Sequence, residues 1–169
     1  RSLDDHRVYR HVADLPAAPD LAVVCTPAHT VSQVIHELGD RGTRAAVVLT
    51  DGLTGAQKTS MLKVARRYML RIVGDHALGV QVPGMGLNAS VAPTMPVDGQ
   101  LALVSQCGGV TASMLDWAQA HGIGFSAVIS LGRSVDADAA DWLDHLGSDH
   151  RTRAILLYLD DVHSPAKFM

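Results

Sequence analysis

Apolar residues in this chain gather into short unalternating runs, separated by stretches where they recur every three or four positions. The runs fall at 21–25, 45–49, 70–73, 101–104, 126–130 and 154–158, and each is bounded by small or polar residues. Runs of this length predict strands buried on both faces, as in a parallel sheet. Between them, Val31, Val34, Ile35 and Leu38 fall on one helical face that Thr30 is placed to cap and Gly39 to end. Met61, Leu62, Ala65 and Tyr68 make a second stripe, and Met114, Leu115, Trp117 and Ala118 a third. A fourth holds Ala139, Ala140, Trp142, Leu143 and Leu146, ending at Gly147. Strand and helix alternate, which is the signature of an α/β fold.

The rhythm breaks between Gly74 and Gly99. Pro83, Pro93 and Pro96 lie there, with Gly79, Gly84 and Gly86, and no helical period survives. A structureless stretch of that length is uncommon inside one domain, so it reads as an interdomain crossing. The expectation is two units, 1–95 and 96–169, meeting near 93–98, with 101–104 opening the second sheet. Both ends of the chain read as cut, since Arg1 opens on polar sequence just before a strand and Met169 follows one closely.

Composition narrows the class. The chain has 169 residues, 47% of them hydrophobic and 4% aromatic, with a formal net charge of −3. No basic stripe marks a nucleic-acid surface, and no apolar run nears the roughly 20 residues needed to span a bilayer. Cys25 and Cys107 are far apart in sequence and build no disulfide framework. They read as free thiols in a reducing compartment, with the cytoplasm as the expectation.

Ligands of open parallel sheets bind beyond the carboxyl ends of strands. Three such ends here carry small or hydroxyl residues. Thr26 and Pro27 follow the first run, and Thr50, Asp51 and Gly52 follow the second. Turn chemistry alone explains such residues as well as a ligand does. The third is Ser105-Gln106-Cys107-Gly108-Gly109, where a strand passes directly into a helix. A helix start offers unpaired N–H groups, and two glycines let an anion approach them. An anion site and a tight turn both stay open there, and no Walker lysine follows.

The nine histidines are scattered, and no pair has metal-ligand spacing with a carboxylate base. No metal is expected. His76, in a loop after a strand, is the one histidine placed where chemistry could use it, although a solvated loop histidine is the commoner case. Cys107 at a helix start has the setting of an activated thiol, but no partner is placed by spacing. No catalytic residue is assigned.

One long segment, "LALVSQCGGVTASMLDWAQAHGIGFSAVISLGRSVDADAADWLDHLGSDHRTRAILLYLDDV", resembles the NDP-forming acyl-CoA synthetases, relatives of the succinyl-CoA synthetase α chain. The similarity extends upstream through "DLAVVCTPAHTV", "RGTRAAVVLTDG", "RIVGDHALG" and "GLNASVAPTMP". The family also occurs fused to GNAT-type domains in bacterial protein lysine acetyltransferases. The resemblance implies part of a Rossmann-like CoA-binding domain followed by part of a flavodoxin-like succinyl-CoA-ligase-type domain, with parallel sheets. It implies CoA or acyl-CoA as cofactor, held by Thr26, Pro27, Thr50, Asp51 and Gly52. ATP or ADP would enter only through a domain outside this chain. Ser105, Gln106, Cys107, Gly108 and Gly109 match the family's Ser-Gln-Ser-Gly-Ala loop, implying phosphate binding.

This chain departs from that pattern in three ways. Gly74-Asp75-His76-Ala77-Leu78-Gly79 stands for the family's Gly-Pro-Asn-Cys-Leu-Gly, and Asp75 brings a carboxylate toward an anionic substrate. Cys107 stands for a serine and is the poorer donor. The glycine-rich CoA loop would lie before Arg1, and the phosphorylated histidine after Met169. The altered Gly74–Gly79 loop favours a non-catalytic CoA-sensing region of a protein lysine acetyltransferase, with a fragment of an active ADP-forming acyl-CoA ligase, working through acyl phosphate and phosphohistidine, as the alternative. The isolated chain is expected to be inactive. The expected partner is a small-molecule CoA thioester, with no nucleic acid and no membrane. A homo-oligomer and covalently linked ATP-grasp and GNAT domains are left open.

Overall fold

The computed structural model describes residues 2–162 and 164–169. In chain order the strands and helices are β1 (Ser2–Leu3), β2 (His6–Arg7), β3 (Leu21–Val24), α1 (Val31–Asp40), β4 (Ala45–Val48), α2 (Gly55–Arg67), β5 (Arg71–Gly74), β6 (Gly79–Val82), β7 (Leu87–Ser90), β8 (Asp98–Ser105), α3 (Gly108–Ala120), β9 (Phe125–Ser130), α4 (Ala139–Ser148), β10 (Ala154–Tyr158) and α5 (Pro165–Phe168). β1 and β2 form a small antiparallel pair. Among the described residues no helix is long and apolar enough to cross a membrane.

Two larger sheets carry the architecture. β3, β4 and β5 form a parallel sheet in sequence order, with Val24 opposite Val48 and Val48 opposite Gly74. The second sheet runs β10-β8-β9-β6-β7. β8, β9 and β10 are parallel, while β6 and β7 form a hairpin that joins antiparallel to β9. The second sheet is therefore mixed rather than parallel throughout.

The side-chain period of two explains how these sheets pack. On β4, Ala46 and Val48 face α1 and α2, meeting Val31, Ile35, Met61 and Ile72 in one core. Val47 faces the other way, into a core with Val80, Ala102, Val104, Ile129 and Leu146, where Val73 and Trp142 also pack. That second core joins the two sheets through α4. The opposite face of the larger sheet carries Leu103, Phe125 and Val128 against Ala118 of α3. Arg71 ties the same junction at its edge, donating to Asp136 at 3.0 Å and Asp141 at 3.1 Å.

Several expectations are corrected. Residues 79–90 form the hairpin of β6 and β7, not a structureless crossing. The larger sheet takes strands from both sides of 93–98, so that segment links two strands of one sheet instead of two sheets. The hairpin is possible because Gly86, at φ 66°, turns the chain after Pro83–Met85. Thr30 does not cap α1; its hydroxyl donates to the Pro27 carbonyl at 2.8 Å, closing the preceding turn. The side-chain caps are Thr54 on α2 and Asp138 on α4, each in a reciprocal box with the residue three positions on. Coverage on both faces fails at the sheet edges, where Val23 of β3 and Leu156 and Tyr158 of β10 are exposed.

Candidate functional site

The candidate residues lie in the turns that leave the carboxyl ends of β3, β4, β5, β8 and β9. After β3, Thr26 is half-buried, and its hydroxyl has no hydrogen-bond partner although it is shielded from solvent. After β4, the Thr50 hydroxyl donates to the Thr26 carbonyl at 2.8 Å. Thr50 is thus spent on tying two strand ends together. Gly52 has φ 76°, and its Cβ position is open space. Its N–H donates to Asp51 Oδ1 at 2.6 Å. That bond is the largest influence holding the Asp51 carboxyl below its usual range; burial works against it, and His76 and Arg133 reinforce it.

The turn after β5 carries a charge cluster no spacing rule links. Asp75 is fully buried, and its Oδ2 lies 3.4 Å from both Lys58 Nζ and Arg133 Nη1. Its main-chain carbonyl accepts the Arg133 N–H at 3.0 Å. His76, at φ 56°, is exposed, with Nδ1 3.0 Å from Asp51 Oδ1. Asp75 therefore does not present bare negative charge to a ligand, as its sequence position suggests; it organises two cations at the mouth of the site.

The loop from Ser105 to Gly109 divides into scaffold and open surface. Ser105 is fully buried; its hydroxyl donates to the Cys107 carbonyl at 3.0 Å and accepts the Cys107 N–H at 3.1 Å. Thr111 adds a second hydroxyl bond to the same carbonyl at 2.9 Å. Gln106 reaches the loop after β10, donating to the Asp161 carbonyl and accepting from the Asp160 and Asp161 N–H groups. Ser105, in the loop implied to bind phosphate, spends its hydroxyl on building the helix start. The N–H groups of Gly108, Gly109 and Val110 have no intrahelical acceptor. A Cβ at Gly108 would meet only Leu78 at 3.9 Å, and one at Gly109 only Cys107 Sγ at 3.8 Å. Packing does not require these glycines, and their faces are open.

Two adjoining clefts result. One, of about 650 Å³, is lined by Lys58 and Thr59 of α2 and by Arg133 and Ser134 beyond β9. The other, of about 480 Å³, runs from Leu49 past Leu78 to Cys107, Gly108 and Gly109. His76, Gln106 and Asp160 border both. Asp160 accepts a hydrogen bond from the Tyr158 hydroxyl, and this pushes the Tyr158 pKa up. Among the described residues no group of three or more His, Cys, Asp or Glu side chains could hold a metal. Lys58, Arg133 and Ser134 were missed by the sequence reading. For Arg133 and Ser134 the signal was there, since they follow a strand end as the other candidates do.

Comparison with known proteins places both halves. Residues 1–83 match the family described as CoA binding domain, and residues 98–169 match the succinyl-CoA ligase like flavodoxin domain. The α subunit of acetate–CoA ligase (ADP-forming) I from Pyrococcus furiosus is 36% identical over 169 residues, covering 96% of this chain and 37% of that protein. The 4-hydroxybutyrate–CoA ligase (ADP-forming) of Nitrosopumilus maritimus is 32% identical over 171 residues, covering 96% of this chain and 24% of that one. A Ca. Korarchaeum cryptofilum dinucleotide-forming acetyl-coenzyme A synthetase 1, solved in complex with phosphate and ADP, superposes with a TM-score of 0.94 at 28% identity, covering 99% of this chain and 37% of the other. The chain thus spans well under half the length of these relatives.

Proposed function

Because the chain belongs to the NDP-forming acyl-CoA synthetases, the relatives of the succinyl-CoA synthetase α chain, we propose that its strand-end cleft binds coenzyme A and serves acyl-CoA formation from an acyl phosphate. The observation that carries this reading is convergence: Leu49 beyond β4, the turn after β5 and the start of α3 line clefts that share His76, Gln106 and Asp160. Thr26, Pro27, Asp51 and Gly52 offer the CoA-facing surface, and Thr50 holds the turns in register. Gly108 and Gly109 offer N–H donors to the phosphoryl group, on a frame made by Ser105, Gln106 and Cys107. ATP or ADP is handled in the parts of the relatives that this chain does not span. We keep the division at 95/96 as one of sequence families, with the β6–β7 hairpin lending its strands to the ligase-type unit.

Of the two sequence readings, the ligase alternative is the better supported. The relatives named above are ligases and a synthetase, and none is an acetyltransferase. The charge argument against ligation also loses its ground, since Asp75 is buried against Lys58 and Arg133.

The phosphate end of the proposal is testable with inorganic phosphate. A helix start contributes about 0.3–1 kcal/mol to an exposed anion and up to about 2 when partly buried. Millimolar binding, about 4 kcal/mol, is the expected scale. Phosphate titration should shift the amide resonances of Gly108, Gly109 and Val110. Gly109→Glu, whose side chain has room to lie over the donors, should abolish the shifts while leaving the fold intact. Equal shifts in both proteins, or none in the wild type, would remove the phosphate role from this loop.

A further inference from the structure

We propose that His76, oriented by Asp51, takes the proton from a thiol bound in the cleft and is thereby a catalytic residue for acyl transfer. The inference rests on the coenzyme A reading above. Four observations lead to it. The imidazole Nδ1 lies 3.0 Å from Asp51 Oδ1; with the Nδ1 hydrogen donated there, Nε2 is left as the basic nitrogen. Asp51 is fixed in turn by the Gly52 N–H at 2.6 Å. The backbone holds the pair together, because the His76 N–H donates to the Thr50 carbonyl at 3.3 Å, next to Asp51. Finally, His76 borders both clefts, including the one that ends at Gly108 and Gly109. A base held by a carboxylate, beside a surface suited to a leaving anion, is the arrangement that acyl transfer to a thiol needs.

The step balances as follows. The thiol sulfur attacks the acyl carbon, and its proton passes to His76 Nε2. The C–S bond forms, the bond from the acyl carbon to the phosphate oxygen breaks, and phosphate leaves with that electron pair toward the Gly108 and Gly109 N–H groups. Asp51 then faces an imidazolium and stabilises it, which makes Asp51 a positioning residue. Arg133 Nη2 lies 3.8 Å from the same Asp51 oxygen. An isolated exposed His–Asp pair contributes little to stability. A non-glycine residue at φ 56° is uncommon, and at this position it brings the ring to the border of both clefts.

The test reads the coenzyme and not the protein. The chain in excess is mixed with CoA near pH 7, binding is measured by calorimetry, and iodoacetamide is added. Carbamidomethyl-CoA is then followed by mass spectrometry, so that Cys25 and Cys107 do not interfere. CoA bound to wild type should alkylate about tenfold faster than free CoA, because a neighbouring base raises the thiolate fraction. His76→Asn, which suits the left-handed backbone, and His76→Gln should both bring the rate near that of free CoA. Asp51→Asn should fall between. Bound CoA that alkylates as fast in both His76 variants as in wild type overturns the proton-acceptor role and leaves the coenzyme reading standing. Absence of a binding isotherm in wild type overturns both.

Discussion

Gly132→Ala should lower the unfolding midpoint by roughly 6–12 °C and displace the turn that carries His76. Gly132 has φ 56°, and a Cβ there would strike the Asp75 carbonyl oxygen and the backbone of His76 and Ala77. None of these is a flexible side-chain end that can swing away. The left-handed conformation costs an alanine about 1–2 kcal/mol, and forcing atoms into a packed site adds about 1–3 kcal/mol. A total of about 3 kcal/mol in a domain of this size gives the stated shift. Differential scanning calorimetry checks the magnitude, and amide spectra of residues 74–78 check the location. A midpoint within about 2 °C of wild type would mean that the two turns do not meet as described.

The second large effect concerns the charge buried between the sheets. Lys58→Met together with Arg133→Met should destabilise the chain by about 3 kcal/mol, the range seen when a buried ion loses its partners. The reason is asymmetric exposure: the Asp75 side chain is fully buried, whereas Lys58 is 22% and Arg133 48% exposed. With the cations gone the carboxylate has no solvent to turn to, and its Oδ1 already has no hydrogen-bond partner. Adding Asp75→Asn to that double variant should restore more than half of the loss, because an amide is cheaper to bury than a charge. Urea denaturation of wild type, the double variant, the triple variant and Asp75→Asn alone closes the cycle. A double variant as stable as wild type would show that Asp75 is not held by these cations.

How far the sequence carried the fold depends on what each element buries. The aliphatic runs at 45–49 and 101–104 became strands within a few residues of their expected ends, because a buried parallel strand needs no polar alternation. The β6–β7 hairpin escaped notice for the opposite reason. Its strands are four residues each, punctuated by Gly79, Pro83 and Gly86, and one of its buried side chains is Gln81. Gln81 sits inside by donating to the Thr94 carbonyl at 2.9 Å and to Asn88 at 3.3 Å. Its polarity masked a buried position where tertiary structure satisfies the amide nitrogen and leaves Oε1 without a partner.

The site divided along similar lines. Positions at strand ends were legible, since small and hydroxyl residues there mark turns close to bound ligands. Roles were less so: Ser105 and Thr50 have the right hydroxyls, yet both spend them on neighbouring carbonyls. The grouping of Lys58, Asp75 and Arg133 was not legible at all. They come from a helix, a turn and a loop that only the packing of two sheets brings together.

The most direct test of the central claim is an amide-resolved titration of the chain with coenzyme A. If the strand-end cleft is the binding site, shifts should concentrate in the turns at 26–27, 50–52 and 75–78 and at the start of α3, with β10 and the outer face of α3 unmoved. Shifts that avoid those turns, or a spectrum unchanged at millimolar coenzyme A, would contradict it.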